Sequence, residues 1–138
     1  MAVIKELIRI EDDGTLSFGD YTLSSKTKKS DFAYNGASYK VKTFKEITKL
    51  ERDGVFVYES VPGTAVEHLK KSDDVISFSV EGANDAEFTL ELEPGTEYDI
   101  FVDGKESGTF KTNLGGKLSV GLELNEGTPV SIEVKKAG

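Results

Sequence analysis

The chain has 138 residues, with 25 acidic against 17 basic side chains for a net charge of −8, and it contains neither cysteine nor tryptophan. That length fits one domain or two small β modules, and without cysteine there are no disulfides, thiolate metal sites or thiol nucleophiles. The acidic balance, with Arg9 and Arg52 as the only arginines, argues against nucleic acid as a partner, because phosphate contacts need a basic surface.

The first segment, "MAVIKELIRI", is interrupted by Lys5, Glu6 and Arg9. It reads neither as a secretory signal nor as a membrane span, which needs about 20 apolar residues; a cytoplasmic protein without membrane insertion is expected. As a strand the segment is apolar on both faces, with Ile4, Ile8 and Ile10 on one and Val3 and Leu7 on the other. Such a strand is either covered by its own chain or meets another subunit. A short chain has little material for a second cover, which tips the expectation toward self-association through this strand.

"TLSFGDYTL" pairs with the first strand across "EDDG", and "SSKTKKSD" is a locally basic loop. The stretch "SYKVKTFKEITKLERDGVFVYES" allows two readings. Thr43 to Glu46 has the form of a capping box opening a helix, whereas "KEITKLE" and "VFVYES" form a hairpin around Asp53-Gly54. The β-branched residues and the turn favour the hairpin. Thr64 to Glu67 is a better capping box, so "AVEHLKK" is expected as one short helix near residues 65–71.

From there the period is two. "VISFSV", "EFTLEL", "YDIFV", "KLSVGLEL" and "VSIEV" alternate apolar and polar residues, the mark of strands with one buried face. One wet face per strand favours antiparallel sheets. Asp13-Gly14, Asn35-Gly36, Asp53-Gly54 and Asp103-Gly104 are hairpin signals, and Gly115-Gly116 and Asn125-Glu126-Gly127 are further breaks. The expected fold is an all-β antiparallel sandwich: an N-terminal β module over residues 1–72 packed with an Ig-like part over 73–138. Five strands are few for a seven-strand sandwich, so the second part is expected to borrow strands from the first or pack on it. Phe78, Leu90, Ile100, Val120 and Ile132 lie on the apolar phase and are the predicted core.

Chemistry-bearing motifs are sparse. His68 is the only histidine; no nucleophile elbow accompanies it, and a zinc site needs more ligands. The acidic residues at Asp12-Asp13, Asp73-Asp74, Glu51 and Asp53 sit beside turns and fit no calcium loop. "NLGGKLS" lacks the glycine spacing and the hydroxyl residue of a phosphate loop. No catalytic, cofactor or metal residues are therefore assigned. Phe101 falls on the face opposite Tyr98, Ile100 and Val102, which makes it an interface candidate alongside Val3, Ile4, Leu7, Ile8 and Ile10. Tyr21, Tyr34 and Tyr39 lie near the irregular first half, where exposed aromatics can stack on sugar rings.

The stretches "VKTFKEITKLERDGVFVYESVPGTAV" and "ELEPGTEYDIFVDGKESGTFKTNLGGKLSVGLEL" resemble a group of short uncharacterised bacterial all-β proteins, some of which bear the label endosialidase. That resemblance spans nearly the whole chain and implies a sialic-acid hydrolase. Sialidase-like sites hold the substrate carboxylate with an arginine cluster and carry S-x-D-x-G-x-x-W repeats; this chain has two arginines and no tryptophan. The second half separately resembles the immunoglobulin-like modules of carbohydrate-active enzymes, in which the strand–turn rhythm is structural. The expectation is a non-enzymatic structural or assembly protein that forms a homo-oligomer or polymer or binds another protein. A carbohydrate-binding module is the alternative, and a glycan hydrolase stands behind both.

Overall fold

The structure, a computed structural model, describes residues 3–137. Two antiparallel sheets pack face to face. The first runs β1 (Ile8–Ile10), β2 (Leu16–Phe18), β7 (Ala65–Lys71), β8 (Val75–Glu81), β13 (Val130–Lys136), β10 (Glu97–Val102), β11 (Lys105–Lys111). The second runs β12 (Lys117–Leu122), β9 (Ala86–Glu91), β6 (Val55–Val61), β5 (Ile47–Arg52), β4 (Ala37–Phe44), β3 (Thr27–Tyr34). The described residues contain no helix, and so none long and apolar enough to cross a membrane.

The turns follow from their residues. Asn35-Gly36 (φ 48° and 76°), Asp53-Gly54 (50° and 80°) and Asp103-Gly104 (51° and 81°) each place two successive residues at positive φ. That geometry carries the right-handed strand twist through a tight hairpin. The Asp53-Gly54 hairpin joins β5 to β6, so residues 47–52 are strand. Inside the sandwich, Phe78, Leu90, Ile100, Val120 and Ile132 are all buried in one cluster. Phe18 and Phe78 from the first sheet interlock with Tyr58 and Phe88 from the second, with ring centroids 5.4 to 6.1 Å apart. Such offset and edge-on contacts stabilise by about 0.5–1.5 kcal/mol each beyond burial.

Residues 1–72 supply β1 to β7 and residues 73–138 supply β8 to β13. Each sheet takes strands from both stretches, and the boundary near Ser72 is the tight turn between the paired β7 and β8. Of the six strands after that turn, β9 and β12 enter the second sheet and the rest the first.

Three local expectations are corrected. The basic loop expected over "SSKTKKSD" enters strand β3, where Thr27, Lys28 and Lys29 pair with Thr43, Lys42 and Val41; an edge strand with no fully buried side chain shows no apolar alternation. The helix over 65–71 is strand β7, which carries one extra residue against β8 between Glu67 and Lys70, with His68 at φ 58°. This bulge shifts the alternation, so Val66 and Leu69 both face inward. Their spacing of three imitates a helical stripe. Thr64 caps no helix. Its N–H and C=O both meet the Thr48 hydroxyl (3.1 and 2.8 Å), and its own hydroxyl meets Tyr58 and Ser60 (2.8 and 2.7 Å) in a fully buried polar network.

The last correction concerns the two-faced N-terminal strand. Only Ile8–Ile10 is strand. Residues 5–7 turn, with the Leu7 N–H donating to the Ile4 carbonyl at 2.9 Å and Leu7 at φ 73°. The turn lets Ile4 and Ile8 both enter the chain's own interior, at 0% and 1% exposure.

Candidate functional site

A sandwich of open sheets has four edges, and an edge strand presents backbone N–H and C=O groups that another strand can pair with unless charge, a bulge or shortness prevents it. Three of the four edges here are guarded. Strand β1 has three residues, and its Arg9 is held by Glu11 at 3.1 Å, Glu6 at 3.5 Å and Glu67 at 4.0 Å. Strand β3 exposes Lys28 and Lys29 and bulges between Lys29 and Phe32, with Asp31 at φ 58°. Strand β11 carries Lys105, Glu106 and Lys111; its register with β10 slips between Ile100 and Phe101, and Gly108 sits at φ 136°.

Strand β12 differs. Its six residues pair with β9 without a break, from Lys117 opposite Glu91 to Leu122 opposite Ala86. Its start is fixed by backbone: the Leu92 N–H donates to the Gly116 carbonyl at 2.7 Å, and a Cβ on Gly116 would collide with that same Leu92. This bond sets the phase of the ladder. Residues alternate between facing the neighbour and facing away, so the backbone groups of Lys117, Ser119 and Gly121 point away from β9. Those of Lys117 are taken by Asn113, whose side-chain oxygen accepts the Lys117 N–H at 3.0 Å and whose own N–H donates to the Lys117 carbonyl at 3.2 Å. Among the described residues, the outward backbone groups of Ser119 and Gly121 have no partner strand.

The side chains leave that edge open. Leu118, Val120 and Leu122 are buried inward. Outward, the Ser119 hydroxyl bonds that of Thr89 at 2.8 Å, and Lys117 lies 3.5 Å from Glu91 and 4.2 Å from the Phe56 ring centroid. From Leu118 to Leu122 there is no charge and no proline. Leu114, in the turn before β12, is 95% exposed.

The sequence-predicted candidates fall elsewhere. Ile4 and Ile8 are consumed by the core, Val3 and Leu7 are half-buried, and Ile10 is the exposed member of that set. Phe101 is half-buried on the outer face with the Lys135 ammonium 5.4 Å from its centroid. His68 stands on the β7 bulge, its Nδ1 3.0 Å from the Thr15 hydroxyl and 3.3 Å from Asp13. The Thr15 hydroxyl and N–H hold the Asp13 carboxyl below the usual range.

Glu11, Glu67 and His68 converge closely enough to chelate a cation, a grouping that sequence order concealed. Arg9 already pairs with both carboxylates. The Ser17 hydroxyl, with help from Arg9, holds the Glu11 carboxyl below its usual value.

At one end of the sandwich a cleft of about 720 Å³ has Tyr34, Tyr39, Arg52, Lys70 and Asp73 among its walls. Tyr34 and Tyr39 meet edge-on at 5.6 Å, and the Tyr34 hydroxyl donates to the Gly14 carbonyl at 2.7 Å, tying the two sheets together there. Tyr21 is a core residue. Its hydroxyl donates to the buried Glu81 at 2.7 Å; burial and that carboxylate push the phenol up.

Comparison with protein-family models, with curated proteins and with solved structures finds no match.

Proposed function

We infer that this is a structural or assembly protein that acts by strand pairing rather than by catalysis, with a homo-oligomer or polymer as its working form. One observation carries the reading: a single regular edge, β12, uncharged from Leu118 to Leu122, beside three edges that are short, bulged or charged. Guarding three edges and leaving one free is the pattern expected where one pairing is wanted and others are excluded.

The test is size in solution together with a variant confined to the free edge. In Gly121→Pro the lost N–H faces away from β9, and a Cβ at this position meets nothing within 4 Å; proline is tolerated at such edge positions. Wild-type protein is expected to sediment above its chain mass of 15.0 kDa, and Gly121→Pro as a folded monomer. A wild type that stays monomeric from micromolar to millimolar concentration overturns the proposal.

The Tyr34–Tyr39 cleft favours a second reading, glycan binding, since it combines aromatic surface with Asn35 and Arg52 as polar partners. Binding on a glycan array that is lost in Tyr34→Ala would establish it.

A further inference from the structure

We propose that β12 pairs with β12 of a second copy in one antiparallel register, with the twofold axis at Val120. This rests on the reading of β12 as the associating edge and adds the partner and the alignment.

The phase of the ladder limits the choices. Only residues whose backbone faces outward can exchange hydrogen bonds with a new strand, and on β12 the ones left without a partner are Ser119 and Gly121, flanked in sequence by Lys117, which Asn113 holds, and by Glu123 just past the strand. Placing the axis at Val120 sets Ser119 opposite Gly121 of the second copy, and the reverse, each pair exchanging both backbone bonds. Asn113 holds the outward backbone of Lys117, so the ladder stops at the Ser119–Gly121 pairs, and the same alignment brings the Lys117 and Glu123 side chains of the two copies together at both ends, where unlike charges meet twice. Leu118 falls opposite Leu122 and Val120 opposite Val120, continuing the apolar inner face across the junction. Moving the axis by one residue, to Ser119 or to Gly121, sets Lys117 opposite Gly121 or leaves it beyond the matched span, and it breaks the Leu118–Leu122 match. A chain of net charge −8 opposes its own copy at long range. A neutral strip ended by complementary charges is therefore a selective place for self-recognition. Leu114, the most exposed large apolar side chain among the described residues, lies just before the paired strand, where a second copy would cover it.

The experiment is charge reversal with mixing, read by analytical ultracentrifugation. Lys117→Glu alone and Glu123→Lys alone each place like charges opposite one another twice and are expected to weaken the dimer about tenfold or more. An equimolar mixture of the two variants restores unlike pairs and is expected to recover the wild-type constant to within about threefold. Because Lys117 also meets Glu91, a cysteine pair serves as an independent measurement. The chain has no cysteine of its own, so a Ser119→Cys/Gly121→Cys double variant should oxidise to a covalent dimer, and Ser119→Cys alone should not.

A wild type that associates, with charge variants and mixture indistinguishable from it and no selective cross-link, overturns this register while leaving self-association standing. A wild type that never associates overturns both.

Discussion

The two margins of the second sheet solve opposite problems. Strand β3 is eight residues long, and none of its side chains is fully buried; its backbone edge is protected by Lys28, Lys29 and the Asp31 bulge. Strand β12 has six residues, three of them driven into the core, and past Lys117 its outward edge meets no strand among the described residues. One strand is held lightly and shielded, and the other is held firmly and left open. An edge that is to receive a partner must keep a fixed pleat and phase before the partner arrives. Anchoring Leu118, Val120 and Leu122 supplies that preorganisation.

The contrast can be broken from the anchored side first. Leu118→Ala removes a side chain at 3% exposure and should cost about 2–5 kcal/mol through lost burial and a cavity. Leu90→Ala, on the neighbouring strand, should cost as much. Chemical denaturation measures both, and an unchanged midpoint would mean that the β9–β12 register is wrong.

High pH acts next, on the interior that both margins share. Burial pushes the Tyr58 phenol up to about 12, with the Thr64 and Ser60 hydroxyls pulling the other way. A phenol whose folded value lies above the unfolded value of about 10 contributes stability that is complete below pH 10 and is lost as pH rises through 12, on the order of 3 kcal/mol. Tyr21 is shifted in the same direction. Wild-type protein should therefore weaken steeply over this window and Tyr58→Phe less so. Hydrogen exchange should show β3 and β12 losing protection together. Separate loss would mean that the two margins do not share one cooperative core.

On the shielded side the effects shrink. Phe32→Ala removes a half-buried ring from β3 and should cost about 1 kcal/mol by its remaining burial, at most half the effect at Leu118. Asp31 sits at positive φ, a conformation glycine adopts freely, so Asp31→Gly should change stability by less than about 1 kcal/mol in either direction. A large loss there would show that the Asp31 side chain holds the bulge.

Sequence alone was enough for the strands of the second half, most of the hairpins and the buried phase, because alternation and Asn-Gly or Asp-Gly turns act within a few residues; it read the start of β3 as a basic loop, because that edge strand has no fully buried side chain and so no apolar alternation. Phe78, Leu90, Ile100, Val120 and Ile132 face inward as their spacing requires. It misled where an irregularity changed the local count. The bulge at His68 gave Val66 and Leu69 a helical spacing, and the turn at residues 5–7 folded Ile4 and Ile8 into one interior instead of along two faces. The order of strands in the sheets was decided only by tertiary structure. Whether Ser119 and Gly121 are interior ladder residues or a bare edge depends on β9 taking one side of β12 and no described strand taking the other. That outcome is set by long-range pairing across the whole sandwich, and no short window of sequence encodes it.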